Sequence, residues 1–145
     1  MTDIQAALGC SQFTRLDDFV ADRQRRAKRY EDLLKNLPLV LPCQAPYAES
    51  SWHLYVIRLQ ADKATVSHRE LFSALRAAGI GVNLHYIPVP RQPYYARYLE
   101  QRGGNDREYP EADRYYAEAI SIPLFHGMTD DQQDEVVTQL RKALQ

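Results

Sequence analysis

The sequence has few of the residues that build covalent or metal-held structures. It contains two cysteines, Cys10 and Cys43, which lie far apart and form no CxxC pair. Two reduced, packed thiols are predicted, with a single disulfide as the alternative, because free thiols are the usual state of cysteine in the cytoplasm. The histidines show no HxxxH or HExxH spacing, so no metal site is predicted.

Long apolar runs and an excess of one charge are also lacking. No apolar stretch approaches the roughly 18 residues that a membrane helix requires, and the first residues show neither the basic nor the apolar segment of a secretory signal. The net charge of −1 and the pI near 6.4 give no electrostatic reason to bind nucleic acid or an anionic membrane. We therefore expect a cytoplasmic protein with no nucleic-acid or membrane partner.

Lysine is scarce as well, and this limits the covalent chemistry that the chain could perform alone. The four lysines are Lys28, Lys35, Lys63 and Lys142. Each lies in a charged setting that predicts a solvated side chain. The GxSxG, P-loop and GxGxxG motifs are absent too, so the common signatures of acyl transfer and nucleotide binding are missing.

The amino-terminal region predicts one long helix. Thr2 and Gln5 match a capping box, apolar residues then recur at helical spacing, and no proline interrupts before Pro38. The helix is expected to end near Asn36, and Gly9 to Ser11 is where a break would fall. A helix of this length in a small domain needs a second surface along it, from another domain or another subunit.

The rest of the chain alternates short strands and helices. Two further capping boxes, Ser67–Glu70 and Thr129–Gln132, predict helix starts, and Gly79 is placed to end the first of these helices. A helical stretch is predicted at 92–101, followed by a loop at Gly103 to Asn105 and a helix with Pro110 in its first turn. The predicted strands are Leu39–Leu41, Trp52–Leu59, Ile80–Leu84 and Ile120–Ile122. This order predicts an α+β fold in which helices pack against a small, mainly antiparallel sheet. We expect a long connecting helix at residues 1–37 and a small domain at 38–145.

One segment, from Gly79 to Tyr95, combines polar and aromatic residues at the exit of a predicted strand. Apolar and other residues alternate up to Leu84, and Pro88 and Pro90 then stop regular pairing. The side chains delivered there are Asn83, His85, Tyr86, Arg91, Tyr94 and Tyr95. They could bind a substrate hydroxyl or phosphate, although a strand, a proline turn and a tyrosine-lined helix start would explain the segment equally well.

Four segments resemble successive blocks of the sugar-nucleotide aminotransferases of the DegT–DnrJ–StrS type. They are MTDIQAALGCSQFTRLDDFVADRQRRAKRY, SSWHLYVIRL, GIGVNLHYIPVPRQPYY and SIPLFHGMTDDQQDEVVTQL, in family order and at fitting separations. Together they cover essentially the whole chain. Within the family they most resemble the pseudaminic-acid branch, the UDP-4-amino-4,6-dideoxy-N-acetyl-altrosamine transaminases, which aminate a UDP-linked 4-keto-6-deoxy-N-acetylhexosamine.

The resemblance implies a specific fold and chemistry. Members of the family resemble fold-type-I enzymes that use pyridoxal phosphate as an electron sink, held as a Schiff base by a lysine of a large amino-terminal domain. They work as dimers, with active sites built across the subunit interface. This chain would be the connecting helix and the small carboxy-terminal domain, and none of its lysines lies in a matching motif. Pyridoxal phosphate is thus expected in the full-length family but not on this chain alone, which is predicted to be inactive by itself.

The same resemblance implies a binding strip. The segment matching Asn83, Leu84, His85 and Tyr86 lines the nucleotide-sugar site in the family, and His85 is the leading candidate. The family often has His-Leu where this chain has Pro90-Arg91, so for Arg91 a diphosphate contact and a solvated rim charge remain open. No catalytic, cofactor-binding or metal-binding residue is carried over.

Three other residues have less specific expectations. His53 is expected to be a packed strand residue, with a role in the site as the alternative, and Trp52 is expected in the core. His126 could face the same cleft as His85, but the sequence does not decide this.

Three functions follow as alternatives. The first is an aminotransferase portion that contributes substrate contacts for surface polysaccharide or nonulosonate biosynthesis, with a UDP-sugar as substrate and a homodimer or an amino-terminal cofactor domain as partner. The second is a free-standing sugar-nucleotide-binding module. The third is an interaction domain whose long first helix mediates dimerisation, with self-association expected at high concentration.

Overall fold

The computed structural model describes residues 1–104 and 109–145. The helices are α1 (Asp3–Phe13), α2 (Leu16–Leu34), α3 (His68–Ala77), α4 (Pro93–Gln101), α5 (Pro110–Glu118) and α6 (Asp130–Ala143), with a short 3₁₀ turn at Val89–Arg91. The strands are β1 (Leu39–Val40), β2 (Tyr55–Leu59), β3 (Asn83–Leu84) and β4 (Ala119–Ile122). The predicted α+β class and order of elements are confirmed. Of the predicted loop at Gly103 to Asn105, the last residue lies outside the described ranges.

The sheet places the exit of β3 beside the most buried strand. Its order is β1-β2-β4-β3, and each neighbouring pair is antiparallel. All four residues of β4 are buried, whereas β2 alternates between buried and half-buried positions. β3 is therefore an edge strand, with Asn83 opposite Ser121 and Leu84 opposite Ile120.

The long helix predicted at the amino terminus is two helices. They separate at Thr14 and Arg15 rather than at Gly9 to Ser11, which lie inside α1. The Thr14 hydroxyl donates to the Ser11 carbonyl at 2.9 Å, and the Arg15 N–H donates to the Gln12 carbonyl at 3.0 Å. These local bonds close a turn in place of the helical ladder, because hydroxyl side chains compete for backbone partners.

The two helices differ in how they pack. α1 buries none of its residues, whereas α2 buries Arg26, Ala27, Tyr30 and Leu34. α2 is also tied to α6, since the Arg26 guanidinium pairs with Asp130 and the Gln133 amide donates to the Arg26 carbonyl at 2.8 Å. α2 is thus part of the domain core, and the division at residues 37 and 38 remains a proposal.

The helix ends follow their sequence signals closely. All three predicted capping boxes form both reciprocal hydrogen bonds, at the starts of α1, α3 and α6. After α3 the chain turns at Gly79, with φ of 79°. The Gly79 N–H donates to the Arg76 carbonyl at 3.1 Å, and the Ile80 N–H donates to the Leu75 carbonyl at 3.0 Å. These two bonds are a Schellman motif, which satisfies carbonyls that the helix leaves open.

Two expectations about packing were wrong. β3 is shorter than the predicted strand at Ile80–Leu84, because pairing begins only at Asn83; Val82 is buried but Leu84 is half exposed. Cys10 and Cys43 are free, but both are exposed rather than packed. Cys10 lies on α1, which contacts no core, and Cys43 lies in the irregular connection between β1 and β2.

Candidate functional site

His85 leaves the sheet directly after β3 and is held by the neighbouring strand. Its Nε2 lies 3.0 Å from the Ser121 Oγ of β4, and its ring meets the Tyr115 ring edge-on at 5.5 Å between centroids. The side chain is half-buried. Nδ1 makes no hydrogen bond to any residue within the described ranges, so one nitrogen of the ring is fixed and the other can serve a ligand.

His85 borders an open cavity of about 710 Å³. The walls come from the loop after β3, from α4 and from α5, and most of the wall residues are aromatic. The wall residues are His85, Tyr86, Pro88, Val89, Pro90, Tyr95, Tyr98, Leu99, Tyr109, Ala112, Tyr115 and Tyr116. Among the described wall residues there is no lysine, arginine or carboxylate, so these residues of the tyrosine cavity offer stacking faces and hydroxyl groups to a ligand.

The five predicted site residues do not converge on one cavity. His85 and Tyr86 line the tyrosine cavity, whereas Leu84 and Arg91 line a smaller groove of about 320 Å³. Tyr116 contributes to both, so the two spaces are neighbours. Asn83 is exposed and lines neither, although it pairs with the same Ser121 that holds His85.

Arg91 is held in an ion pair. Its Nε lies 2.6 Å from the Asp113 Oδ1 of α5, and nearly half of its side chain is exposed. The pair ties the 3₁₀ turn to α5 across the smaller groove. A phosphate reaching Arg91 would have to share the guanidinium with this carboxylate.

Of the three other histidines, His68 lines the smaller groove, whereas His53 and His126 lie elsewhere. His53 is exposed and precedes β2, so the expectation of a packed strand residue was wrong. The His126 ring packs at a tilt against the Phe19 ring, with 4.5 Å between centroids, and its Nδ1 lies 3.4 Å from the Asp22 Oδ2. His126 lines neither space near His85. Trp52 packs against the core as expected but is only partly buried. Its backbone is in the left-handed region, with φ of 49°.

The lysines do not fit the role of a cofactor anchor. A Schiff-base lysine must lose its proton near neutral pH, but the hydrogen bond and charge of Glu31 raise the pKa of Lys28. The other three lysines are exposed. Within residues 1–104 and 109–145, no group of histidine, cysteine or acidic side chains could hold a metal ion, and no helix is long and apolar enough to cross a membrane.

Sequence reasoning missed two parts of this site. Ser121 was placed only in a predicted strand, and neither Tyr115 nor Tyr116 was connected with His85. Tyr115 is instead more than a third exposed and faces His85. The available signal was composition, since six tyrosines lie between Tyr94 and Tyr116, more than the core of a small sheet needs.

Helices packed against a small antiparallel sheet are the features that the family resemblance implies for the small carboxy-terminal domain. The comparisons with known proteins agree. Residues 1–141 match the DegT/DnrJ/EryC1/StrS aminotransferase family, and the chain belongs to that family.

Named relatives support the same conclusion. The spore coat polysaccharide biosynthesis protein SpsC of Bacillus subtilis is 38% identical over 97% of this chain. The putative sugar aminotransferase Spr1654 of Streptococcus pneumoniae, in its PMP form, superposes with a TM-score of 0.84 at 27% identity over 99% of the chain. Helicobacter pylori PseC, an aminotransferase of pseudaminic acid biosynthesis, superposes at 0.85 over 99% but with 22% identity, a likeness of fold.

The coverage of these relatives is partial. The chain spans 36% of SpsC, 35% of Spr1654 and 38% of PseC. The family is dependent on pyridoxal phosphate, and Spr1654 has been solved in both PLP and PMP forms. The chain thus matches roughly a third of a sugar aminotransferase.

Proposed function

We propose that this chain is the carboxy-terminal domain of an aminotransferase that aminates a UDP-linked 4-keto-6-deoxy-N-acetylhexosamine. The product would enter surface polysaccharide or nonulosonate biosynthesis. The observation that carries the proposal is the family match over residues 1–141. SpsC, the 38% identical relative, is a polysaccharide biosynthesis protein by name; the pseudaminic-acid branch stays a prediction.

The tyrosine cavity is the proposed place for an uncharged part of the nucleotide sugar. Tyrosine faces stack on sugar rings and bases, and His85 Nδ1 can hydrogen-bond a hydroxyl or carbonyl. The diphosphate needs cations, and no lysine or arginine is among the described wall residues of this cavity. Arg91 in the neighbouring groove is the nearest proposed contact, in competition with Asp113.

The chemistry of transamination would come from outside this chain. Bound pyridoxal phosphate supplies the electron sink that lets an amino group move. The proposed anchor is a lysine of an amino-terminal domain, in a cytoplasmic homodimer. This chain would bind and orient the sugar, and by itself we expect it to be inactive.

Titration with UDP-N-acetylglucosamine by isothermal calorimetry tests the proposed binding strip. We expect saturable binding that weakens about fivefold in His85→Ala and less in Tyr86→Phe, since a hydrogen bond is worth about 1 kcal/mol. His53→Ala is the matched control, because it removes an exposed histidine that lines no part of the cavity. Equal affinity of all four proteins would reject the strip.

A cofactor titration tests the expected inactivity. Pyridoxal phosphate is added and the visible spectrum is followed, and the sample is then reduced with borohydride and digested. We expect at most scattered labelling of the exposed lysines. One stoichiometric, borohydride-trapped adduct at a single lysine would refute the expectation.

The exposed apolar side chains of α1 favour a second candidate, a dimerisation module without catalysis. Ile4, Leu8 and Phe13 are 83%, 61% and 74% exposed. Large apolar side chains exposed together on one element are typical of an interaction surface. Self-association without any nucleotide-sugar binding would favour this candidate over the first.

A further inference from the structure

A second groove, of about 870 Å³, lies between α2 and the connection from β1 to β2. It shares no wall residue with the tyrosine cavity. Its floor is formed by Ala27, Trp52 and Tyr55, and its charged lining residues are two lysines and two carboxylates: Lys28, Lys35, Glu31 and Glu49. The groove therefore has an aromatic floor beneath a charged edge.

The floor contains a buried polar atom without a partner. Tyr55 is 1% exposed, and its hydroxyl makes no hydrogen bond to any residue that the structure describes. A buried hydroxyl without a partner is costly, so native proteins nearly always satisfy such groups. Burial, with the nearby charge of Glu31, raises the pKa of Tyr55. The hydroxyl thus keeps its proton and can donate to an acceptor oxygen.

The floor is also fixed in place. The Arg23 guanidinium donates to the carbonyls of Trp52 at 2.9 Å and His53 at 3.2 Å. The Trp52 ring lies 5.7 Å from the Tyr55 ring. Trp52 is therefore held beside the Tyr55 ring and stays partly exposed, an arrangement that suits a planar ring.

The rim supplies one cation that is not neutralised locally. Lys28 is paired with Glu31 at 2.9 Å, but Lys35 lies within 4 Å of no carboxylate oxygen in the described ranges. An anion entering the groove could approach Lys35 without first breaking an ion pair. Because Lys35 is exposed, we expect this attraction to be modest.

We propose that this groove is a binding site for a small planar aromatic carboxylate. Its ring would lie against Trp52, and one carboxylate oxygen would accept the Tyr55 hydroxyl hydrogen bond while Lys35 offsets the charge. The site is separate from the proposed nucleotide-sugar strip. Its failure would leave that proposal unaffected, because the two sites share no residue.

Fluorine NMR of para-trifluoromethylbenzoate, titrated with the full 145-residue chain, tests the proposal. We expect saturable binding with a Kd of about 0.1 to 1 mM, typical of a ligand of this size. The neutral para-trifluoromethylbenzamide keeps the ring and should bind several-fold more weakly. Trp52, the only tryptophan of the chain, gives an independent signal through its fluorescence.

Two variants separate the contacts. Tyr55→Phe keeps the ring and should weaken the affinity for the benzoate about fivefold to tenfold. Lys35→Gln should weaken the benzoate about twofold to fivefold. Lys142→Gln is the matched control, since Lys142 is exposed on α6 and lines no part of the groove; its affinity should equal that of the parent chain.

The cysteines provide a check on location. Cys43 lies on the rim of the groove and Cys10 lies on α1, and both thiols are exposed. Saturating benzoate should slow alkylation of Cys43 by iodoacetamide and leave Cys10 unchanged. The proposal is overturned by any of three results: no saturable signal up to about 10 mM, equal affinity of Tyr55→Phe and the parent chain, or equal affinity for acid and amide.

Discussion

At the residue scale, Tyr30 and Tyr55 form a natural comparison. Both are buried, their rings lie 5.1 Å apart, and burial is the main cause that raises the pKa of each. They differ in one respect. The Tyr30 hydroxyl donates to the Pro123 carbonyl at 2.9 Å, whereas the Tyr55 hydroxyl has no partner in the described part of the chain.

Phenylalanine substitutions at the two positions should therefore differ in their effect on the free energy of unfolding. Tyr30→Phe should lower the free energy of unfolding by about 1 kcal/mol, because it removes a hydrogen bond and leaves a carbonyl open. Tyr55→Phe, measured without ligand, should leave it unchanged or raise it slightly. Urea unfolding of the two variants gives the comparison. Equal losses would mean that the Tyr55 hydroxyl is hydrogen-bonded in the free chain, for example to water.

Asp22 is a second residue with a distinct thermodynamic role. Its carboxylate accepts the Gly127 N–H at 2.9 Å and the Arg25 guanidinium at 2.6 Å, and it joins α2 to the loop before α6. The Gly127 hydrogen bond is the main cause that lowers the pKa of Asp22 below its usual 3.8, while partial burial opposes it. A lowered pKa means that folding favours the charged form, so the stabilisation is present above the unfolded value and is lost as the pH falls through the folded one.

Asp22→Asn should consequently destabilise the chain in a pH-dependent way. At pH 7 we expect a loss of about 1 kcal/mol in the free energy of unfolding, and the difference from the parent chain should shrink once the pH falls below 3.8. Asp62→Asn, in an exposed turn, is the control. Urea unfolding at several pH values measures both, and a deficit that persists unchanged in acid would contradict this origin.

At the scale of elements, Gly79 and Gly81 lie close together in the chain but differ in whether their backbone conformation requires glycine. Gly79 has φ of 79° in the turn that ends α3, whereas Gly81 has no positive φ, and a Cβ there would meet nothing within 4 Å. Gly79→Ala should lower the free energy of unfolding by about 1 kcal/mol, since the Cβ of alanine is sterically strained in the left-handed conformation. Gly81→Ala should be neutral or stabilising. Thermal unfolding checks both, and similar effects would show that φ is not the cause.

The three capping boxes allow a second test of elements. Ser67→Ala should lower the free energy of unfolding by about 1 kcal/mol, because α3 buries Leu71 and Leu75 in the core. Thr2→Ala removes the same kind of cap from α1, which buries nothing. It should reduce helicity by circular dichroism while leaving the cooperative transition almost unchanged. A large shift of that transition in Thr2→Ala would mean that α1 is coupled to the core.

The elements also show which of their boundaries sequence patterns predict. The helix starts were predictable because a capping box is a local arrangement within four residues, and Gly79 was predictable because the need for a left-handed residue is local too. The break at Thr14 and Arg15 was not predicted, since a glycine suggested a different position. The short β3 was missed because alternation of Ile80, Val82 and Leu84 states which side chains share a face, but not where a neighbouring strand begins to pair.

At the scale of the whole molecule, α1 projects an apolar surface that the described chain does not cover. Self-association that grows with concentration is therefore expected, and sedimentation velocity over a wide concentration range measures it. The double variant Leu8→Gln and Phe13→Gln should shift the distribution toward monomer without changing the unfolding transition, because both residues are exposed. A parent chain that stays monomeric throughout would refute this prediction.

The sequence by itself determined the family, the α+β class, the order of elements and the helix boundaries set by caps. These rest on local patterns and on blocks that keep their order along the chain. It also placed His85 and Tyr86 at a strand exit, because a strand followed by prolines must release its next side chains.

The tertiary structure decided which of those side chains share a space. Ser121 and Tyr115 reach His85 from β4 and α5, and Arg91 turns to Asp113 in a separate groove. Tyr55, whose ring lies beside that of Trp52, has a buried hydroxyl with no partner among the residues that the structure describes. The contacts of His85 and Arg91 join segments far apart in sequence, where no local pattern carries information. They depend on sheet register and helix packing, which only the folded chain specifies.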